Sequence, residues 1–273
     1  ITVPEQYGGL GLSLADAVPI AESMGRHLMG SPFIATTLAT QALIQCGSEA
    51  QKEQWLPQIA AGSAASLALT EEDGNWNLNE VASFAEMHDG KLLLTAKKCF
   101  VLDAPQAAVI LFSAQVEGAA RLIAVSADQL PEGALVRETV IDETRRSYTL
   151  EIDALALPTD QLLPGSDFHS IEHAALLLLS AEMSGGLAGV LHVIIDYLTT
   201  RKQFDQYIGS YQSLKHPTVQ ILLSMEACRS HLYRAATLIA QQDNDQIEEA
   251  VRMAKAQGSE AFAFAGDRAV QFH

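Results

Sequence analysis

Apolar residues recur at helical spacing through residues 14–24, 34–44 and 50–59, so the chain opens with three short amphipathic helices. Ahead of them Val3-Pro4-Glu5-Gln6-Tyr7-Gly8-Gly9-Leu10-Gly11 is too glycine-rich to be helical throughout. Ser48, with Glu49 directly behind it, marks the start of the third helix. From residue 65 to about residue 160 the pattern shortens to strands. Residues 84–88 and 91–95 flank Asp89-Gly90, the signature of a tight β-hairpin, and 108–114, 121–125, 135–140 and 148–155 are further β-rich runs. Pro158, Pro164 and Gly165 mark the exit. Helical periodicity then returns over residues 168–200, 213–242 and 245–271, with a turn expected at Asp243-Asn244. The pattern predicts an α+β chain: a helical domain (1–64), a small antiparallel, barrel-like β domain (65–162) and a C-terminal helical bundle (163–273).

Charge narrows the partners. A net charge of −16 argues against nucleic acid, which needs clustered Lys and Arg, and against anionic membrane surfaces. An anionic cofactor can be met only where cations gather, and Arg201, Lys202, Lys215 and His216 form such a group. Cys46, Cys99 and Cys228 are odd in number and widely spaced, which predicts a reducing, cytoplasmic setting and no cysteine-based zinc site.

The run 174–195 is about as long as a membrane span, and Gly185 and Gly189 give it small-residue spacing. Glu182 near its middle and His192 near its end favour a helix buried at the centre of the bundle. The chain starts at Ile1 rather than Met, and its last apolar-periodic segment reaches His273 without a stop signal, so both ends of a longer protein are expected to be missing.

Arg201-Lys202-Gln203-Phe204, followed by Ile208-Gly209-Ser210-Tyr211-Gln212, resembles the R-K-x-F and I-G-x-F-Q flavin signature of the acyl-CoA dehydrogenase family. Other stretches resemble the family in the same order along the chain: the Pro4–Gly11 turn, Gln51-Lys52-Glu53-Gln54-Trp55-Leu56-Pro57, Leu69-Thr70-Glu71, Asp142-Glu143-Thr144-Arg145-Arg146 and Val270-Gln271-Phe272-His273. The resemblance implies an FAD-dependent enzyme that removes the α-proton and β-hydride of an acyl-CoA thioester and passes electrons to an electron-transfer flavoprotein. It also implies FAD held between the β domain and the C-terminal bundle, in a homo- or hetero-oligomer whose partner subunit completes the site. By motif, Arg201 would bind the pyrophosphate, Gln203 and Phe204 would extend that contact, and Gln212 and Gln271 would bond the adenosine and pyrophosphate parts. Thr70 and Phe100 would line the flavin.

Three positions depart from the family pattern. Trp76 falls where a serine is expected, Leu102 where a threonine would hydrogen-bond the flavin, and Asp205 where a glycine follows R-K-x-F. They leave two alternatives: an FAD-poor, non-catalytic subunit of a heteromeric dehydrogenase, or a flavin monooxygenase or oxidase on the same scaffold. The resemblance places the catalytic carboxylate beyond His273, with Glu182 the candidate inside the chain and Glu172 read as a helix-dipole partner. His169-Ser170-Ile171-Glu172-His173 has the H-x-x-E-H spacing of a zinc site. It stands outside the family order, and no metal is expected.

Overall fold

The structure, a computed structural model, describes residues 1–241 and 244–273. The turn expected at Asp243-Asn244 lies at the edge of the described residues, and Asp243 lies outside them. Six helices and nine strands follow one another among the described residues. They are α1 (Leu14–Arg26), α2 (Phe33–Cys46), α3 (Glu49–Ala60), β1 (Ala64–Ala68), β2 (Phe84–His88), β3 (Lys91–Leu102), β4 (Ala107–Val116) and β5 (Ala119–Ser126). Then come β6 (Leu135–Arg137), β7 (Ser147–Pro158), α4 (Phe168–Thr200), β8 (Lys202–Gln203), β9 (Gln206–Tyr207), α5 (Gln212–Gln241) and α6 (Asn244–Phe272).

The chain divides into two compact units. The first comprises Ile1–Leu12 and Gly30–Glu172. Its sheet runs β1-β4-β2-β3-β7-β6, with β5 on β4. β2 and β3 form the hairpin expected from Asp89-Gly90, with His88 opposite Lys91 and positive φ at both turn residues. The sheet is not antiparallel throughout, because β1 lies parallel to β4, pairing Leu67 with Leu111. A parallel neighbour needs a long crossover, and the chain from 69 to 106 supplies it. One face buries Leu92, Leu94, Ile110, Phe112 and Ile123, and a second core joins Leu43, Trp55 and Leu56 to Leu111, Leu122 and Ile171. At α3 the Ser48 Oγ accepts the Gln51 N–H and the Gln51 side chain accepts the Ser48 N–H, a reciprocal cap that satisfies two end donors.

The second unit comprises Ser13–Met29 and His173–His273. Its core joins Leu187, Leu191, Ile194 and Leu198 of α4 to Ile221 and Met225 of α5 and Ala261 and Ala265 of α6. The helix α4 is long and apolar enough to cross a membrane, by length and composition. Its glycines have a packing reason instead. A Cβ on Gly185 would overlap the Glu22 carbonyl, one on Gly25 the Glu182 carbonyl, and one on Gly189 would stand 2.6 Å from the Arg26 carbonyl. The small residues let α1 and α4 cross backbone to backbone, with Ser184 buried at the same crossing.

Candidate functional site

In the first unit, β3 carries the chemistry that the alternation of inward and outward positions allows. Leu92, Leu94, Ala96 and Lys98 all point inward, so a lysine side chain is fully buried in the sheet. Its ammonium meets Glu71 Oε1 at 2.7 Å and Ser113 Oγ at 3.0 Å. Glu71 also accepts the N–H groups of Ala82 and Ser83 and the Ser83 hydroxyl, at 2.6–2.9 Å. Burial raises the Glu71 pKa, but these donors outweigh it and hold the carboxyl at about 2. Burial pulls the Lys98 ammonium below the usual lysine value, against the opposing pull of Glu71. The pair ties the two ends of the loop 72–81 to the sheet. Trp76, in that loop, is 84% exposed.

Past Lys98 the register of β3 against β7 breaks, and the bulge lies at Cys99 and Phe100. Phe100 has φ +55°, a left-handed backbone that costs an aromatic residue about 1–2 kcal/mol, and the residue is 58% exposed. Glu138 holds the bulge, accepting the Phe100 N–H at 3.2 Å, the Ser147 hydroxyl at 2.6 Å and the Thr149 hydroxyl at 2.8 Å. Burial pushes the Glu138 carboxyl up, and the three hydrogen bonds bring it below its usual value. The Thr70 carbonyl accepts the Cys99 N–H at 2.9 Å, so the first unit brings Thr70 beside the Phe100 bulge. The Leu102 side chain has no donor, and its carbonyl accepts the Ser66 hydroxyl at 2.6 Å.

In the second unit, α4 ends at Thr200 and the polar stretch after it forms a small β-hairpin, β8 to β9. Phe204 and Asp205 are its two turn residues, with φ +54° and +60°. Positive φ at both positions is the type I′ geometry that suits a two-residue hairpin, usually with Gly or Asn. Here it thrusts out Phe204, 88% exposed. Tyr211 Oη donates to the Gln203 carbonyl at 3.1 Å, and Lys202 Nζ lies 4.6 Å from the centroid of the Tyr207 ring.

Arg201 is exposed and makes no ion pair among the described residues, while its backbone is fixed at both ends, N–H to Tyr197 and carbonyl from Ile208. Tyr197 stacks on His273, ring centroids 4.2 Å apart, which brings the α6 end carrying Gln271 to the α4 end carrying Arg201. Gln203, Gln212 and Gln271 are all exposed.

Glu182 is half-buried, and its carbonyl is the one that seats Gly25. No group of three His, Cys, Asp or Glu among the described residues is placed to hold a metal. Sequence reasoning passed over Lys98 and Glu138, although a lysine in register with Leu92, Leu94 and Ala96 was a legible signal. It also passed over Glu22, whose carboxylate accepts from Ser184 Oγ (2.9 Å), Arg229 Nε (3.2 Å) and Tyr233 Oη (2.9 Å). Those partners are 162 to 211 residues away in sequence, and no local pattern reaches that far.

Comparison with known proteins bears on these features together. Residues 1–63 match the family described as acyl-CoA dehydrogenase, N-terminal domain, and residues 173–273 match acyl-CoA dehydrogenase, C-terminal domain. The chain is 28% identical to acyl-CoA dehydrogenase fadE12 of Mycobacterium bovis, over 99% of this chain and 74% of that protein. The solved structure of PigA with FAD and proline is similar, with a TM-score of 0.86 at 26% identity, covering 99% of this chain and 75% of that one. The ChsE4-ChsE5 complex from Mycobacterium tuberculosis gives a TM-score of 0.88 at 23% identity, covering 99% and 72%, a likeness of fold alone.

Proposed function

We propose, since this chain belongs to the acyl-CoA dehydrogenase family, that it binds FAD and dehydrogenates an acyl-CoA thioester between its α and β carbons. The observation that supports this most is the end of α4: a guanidinium without an ion pair among the described residues, followed by a hairpin that displays Phe204. In a chain of net charge −16, a cation kept out of ion pairs is the donor a diphosphate requires.

The residues present fit the diphosphate end of FAD. Arg201 offers a planar fork to pyrophosphate oxygens, and the amides of Gln203, Gln212 and Gln271 offer both donors and acceptors. Phe204 supplies an apolar surface beside them. In the first unit Phe100 replaces the aromatic wall of the family pattern, and Thr70 and Glu138 fix the backbone from which it projects. When bound, FAD supplies the acceptor for the hydride. What the chain's own residues contribute is to hold the diphosphate, wall the ring system off from water and restrain the bulge that carries Phe100. The α-proton goes to a carboxylate, for which Glu182 is the candidate within this chain. Electrons pass on to an electron-transfer flavoprotein, and a second subunit, of the same or another chain, completes the site. The free thiols of Cys46, Cys99 and Cys228 are in keeping with a cytoplasmic setting.

Leu102 favours a second reading. An aliphatic side chain gives the flavin no hydrogen bond at the position where the family offers a hydroxyl, as an FAD-poor subunit paired with a competent one would tolerate. Purified protein, before and after incubation with FAD and removal of the excess, separates the two. The dehydrogenase reading expects flavin absorbance at about one per chain; protein that stays colourless after reconstitution contradicts it.

A further inference from the structure

We propose that the cleft lined by α1, α4 and α5 in the second unit is a binding site for a small carboxylate with a short hydrocarbon tail. Its volume is about 450 Å³, within the usual size of small-molecule pockets. Its lining is charged where the rest of the chain would predict acid: Arg26, His27 and Arg229 stand around a single carboxylate, Glu22.

Glu22 has its acceptors engaged. One oxygen takes the Ser184 hydroxyl and Arg229 Nε, the other the Tyr233 hydroxyl, and its side chain is 17% exposed. Arg229 spends Nε on this contact and is 45% exposed, which leaves the outer N–H edge of its guanidinium for a ligand. Arg26 is exposed and makes no ion pair among the described residues. At the last turn of α1 it also meets the favourable end of the helix dipole, but that interaction uses charge and not the donor fork. Counting the formal charges of Arg26, Arg229 and Glu22, the cleft carries one net positive charge in a chain of −16.

The class of ligand follows. A guanidinium fork matches a planar carboxylate in two hydrogen bonds. A dianion would gain a second attraction but meet the Glu22 charge at the same floor, so a monoanion is favoured over phosphate. Pro19, Ala188 and Met225 line the remaining wall and would cover a short aliphatic tail. The assignment does not rest on the flavin reading, since none of these residues belongs to the flavin motifs.

Calorimetric titration with hexanoate, hexanamide and inorganic phosphate tests it on the full chain as purified, beside Arg26→Gln and Arg229→Gln. Arg26 is exposed, so Arg26→Gln leaves the fold intact and serves as the decisive variant if Arg229→Gln disturbs the Glu22 cluster. The expected result is saturable binding of hexanoate, about tenfold weaker in Arg26→Gln, with hexanamide and phosphate at least tenfold weaker than hexanoate. No saturable hexanoate binding, equal affinity in Arg26→Gln, or phosphate or hexanamide binding as tightly as hexanoate would each overturn it.

Discussion

The ammonium of Lys98, wholly buried in the sheet, lies 2.7 Å from the carboxylate of Glu71 and fixes the loop 72–81 from below. Glu71 is 12% exposed, so removing either partner strands a charge out of water. Glu71→Gln should cost about 3–5 kcal/mol of stability at neutral pH, the usual range for breaking a buried pair. Chemical denaturation measures it, and a loss below about 1 kcal/mol would mean that the pair is not the anchor.

Acid should act through the same group. Its folded pKa, about 2, lies below the ordinary 4.5, so its stabilisation is complete above 4.5 and is lost as pH falls through that window toward 2. The wild type should therefore lose stability more steeply than Glu71→Gln between pH 4.5 and 2. Parallel denaturation series show whether the two curves converge; curves that stay parallel speak against the linkage.

Phe100 keeps a left-handed backbone at an exposed position. Phe100→Gly relieves about 1–2 kcal/mol of strain, loses little burial and adds about 0.5–1 kcal/mol of backbone entropy cost. Stability should stay within about 1 kcal/mol of wild type while flavin affinity falls. A residue strained for packing would give the reverse: a large loss of stability and unchanged flavin binding.

Asp205 brings a negative charge into the hairpin beside Arg201. Asp205→Asn keeps a residue that tolerates positive φ and removes the charge, so it isolates electrostatics from backbone strain. FAD affinity of the apoprotein should rise in Asp205→Asn and fall in Arg201→Gln, each by about tenfold at low salt and less at high salt. Fluorescence titration with FAD reads both, and an Asp205→Asn affinity equal to wild type would remove the charge from the account.

Gly185→Ala places a methyl group on the Glu22 carbonyl. It should cost about 1–3 kcal/mol or more, as overpacked sites do, and should disturb the Glu22 cluster with it. Thermal unfolding beside Gly266→Ala, where a Cβ meets nothing within 4 Å, supplies the control.

Much of the fold was legible because its signals are local. The Asp89-Gly90 turn, the Ser48 cap and the helical period of α1 to α6 are each written within a few residues, and the structure has them there. The crossover that makes β1 parallel to β4 was not, since pairing over some forty residues leaves no periodic mark. Gly185 and Gly189 were visible as a small-residue pair, yet their spacing serves a membrane helix and a tight soluble crossing equally; only the α1 carbonyls against them decide. Of the candidate site, Arg201 and Phe204 could be picked out by motif. The Glu138 cluster that holds Phe100 joins residues distant in sequence; the hairpin that turns Phe204 outward is local, but Phe204-Asp205 lacks the Gly or Asn that signals such a turn.

A flavin bound to this chain should be reduced by an acyl thioester. Anaerobic addition of acyl-CoA substrates of graded chain length to the FAD-loaded protein tests it directly. At least one should bleach the oxidised flavin absorbance and yield the matching enoyl-CoA. Loaded flavin that stays oxidised with every acyl-CoA would contradict it.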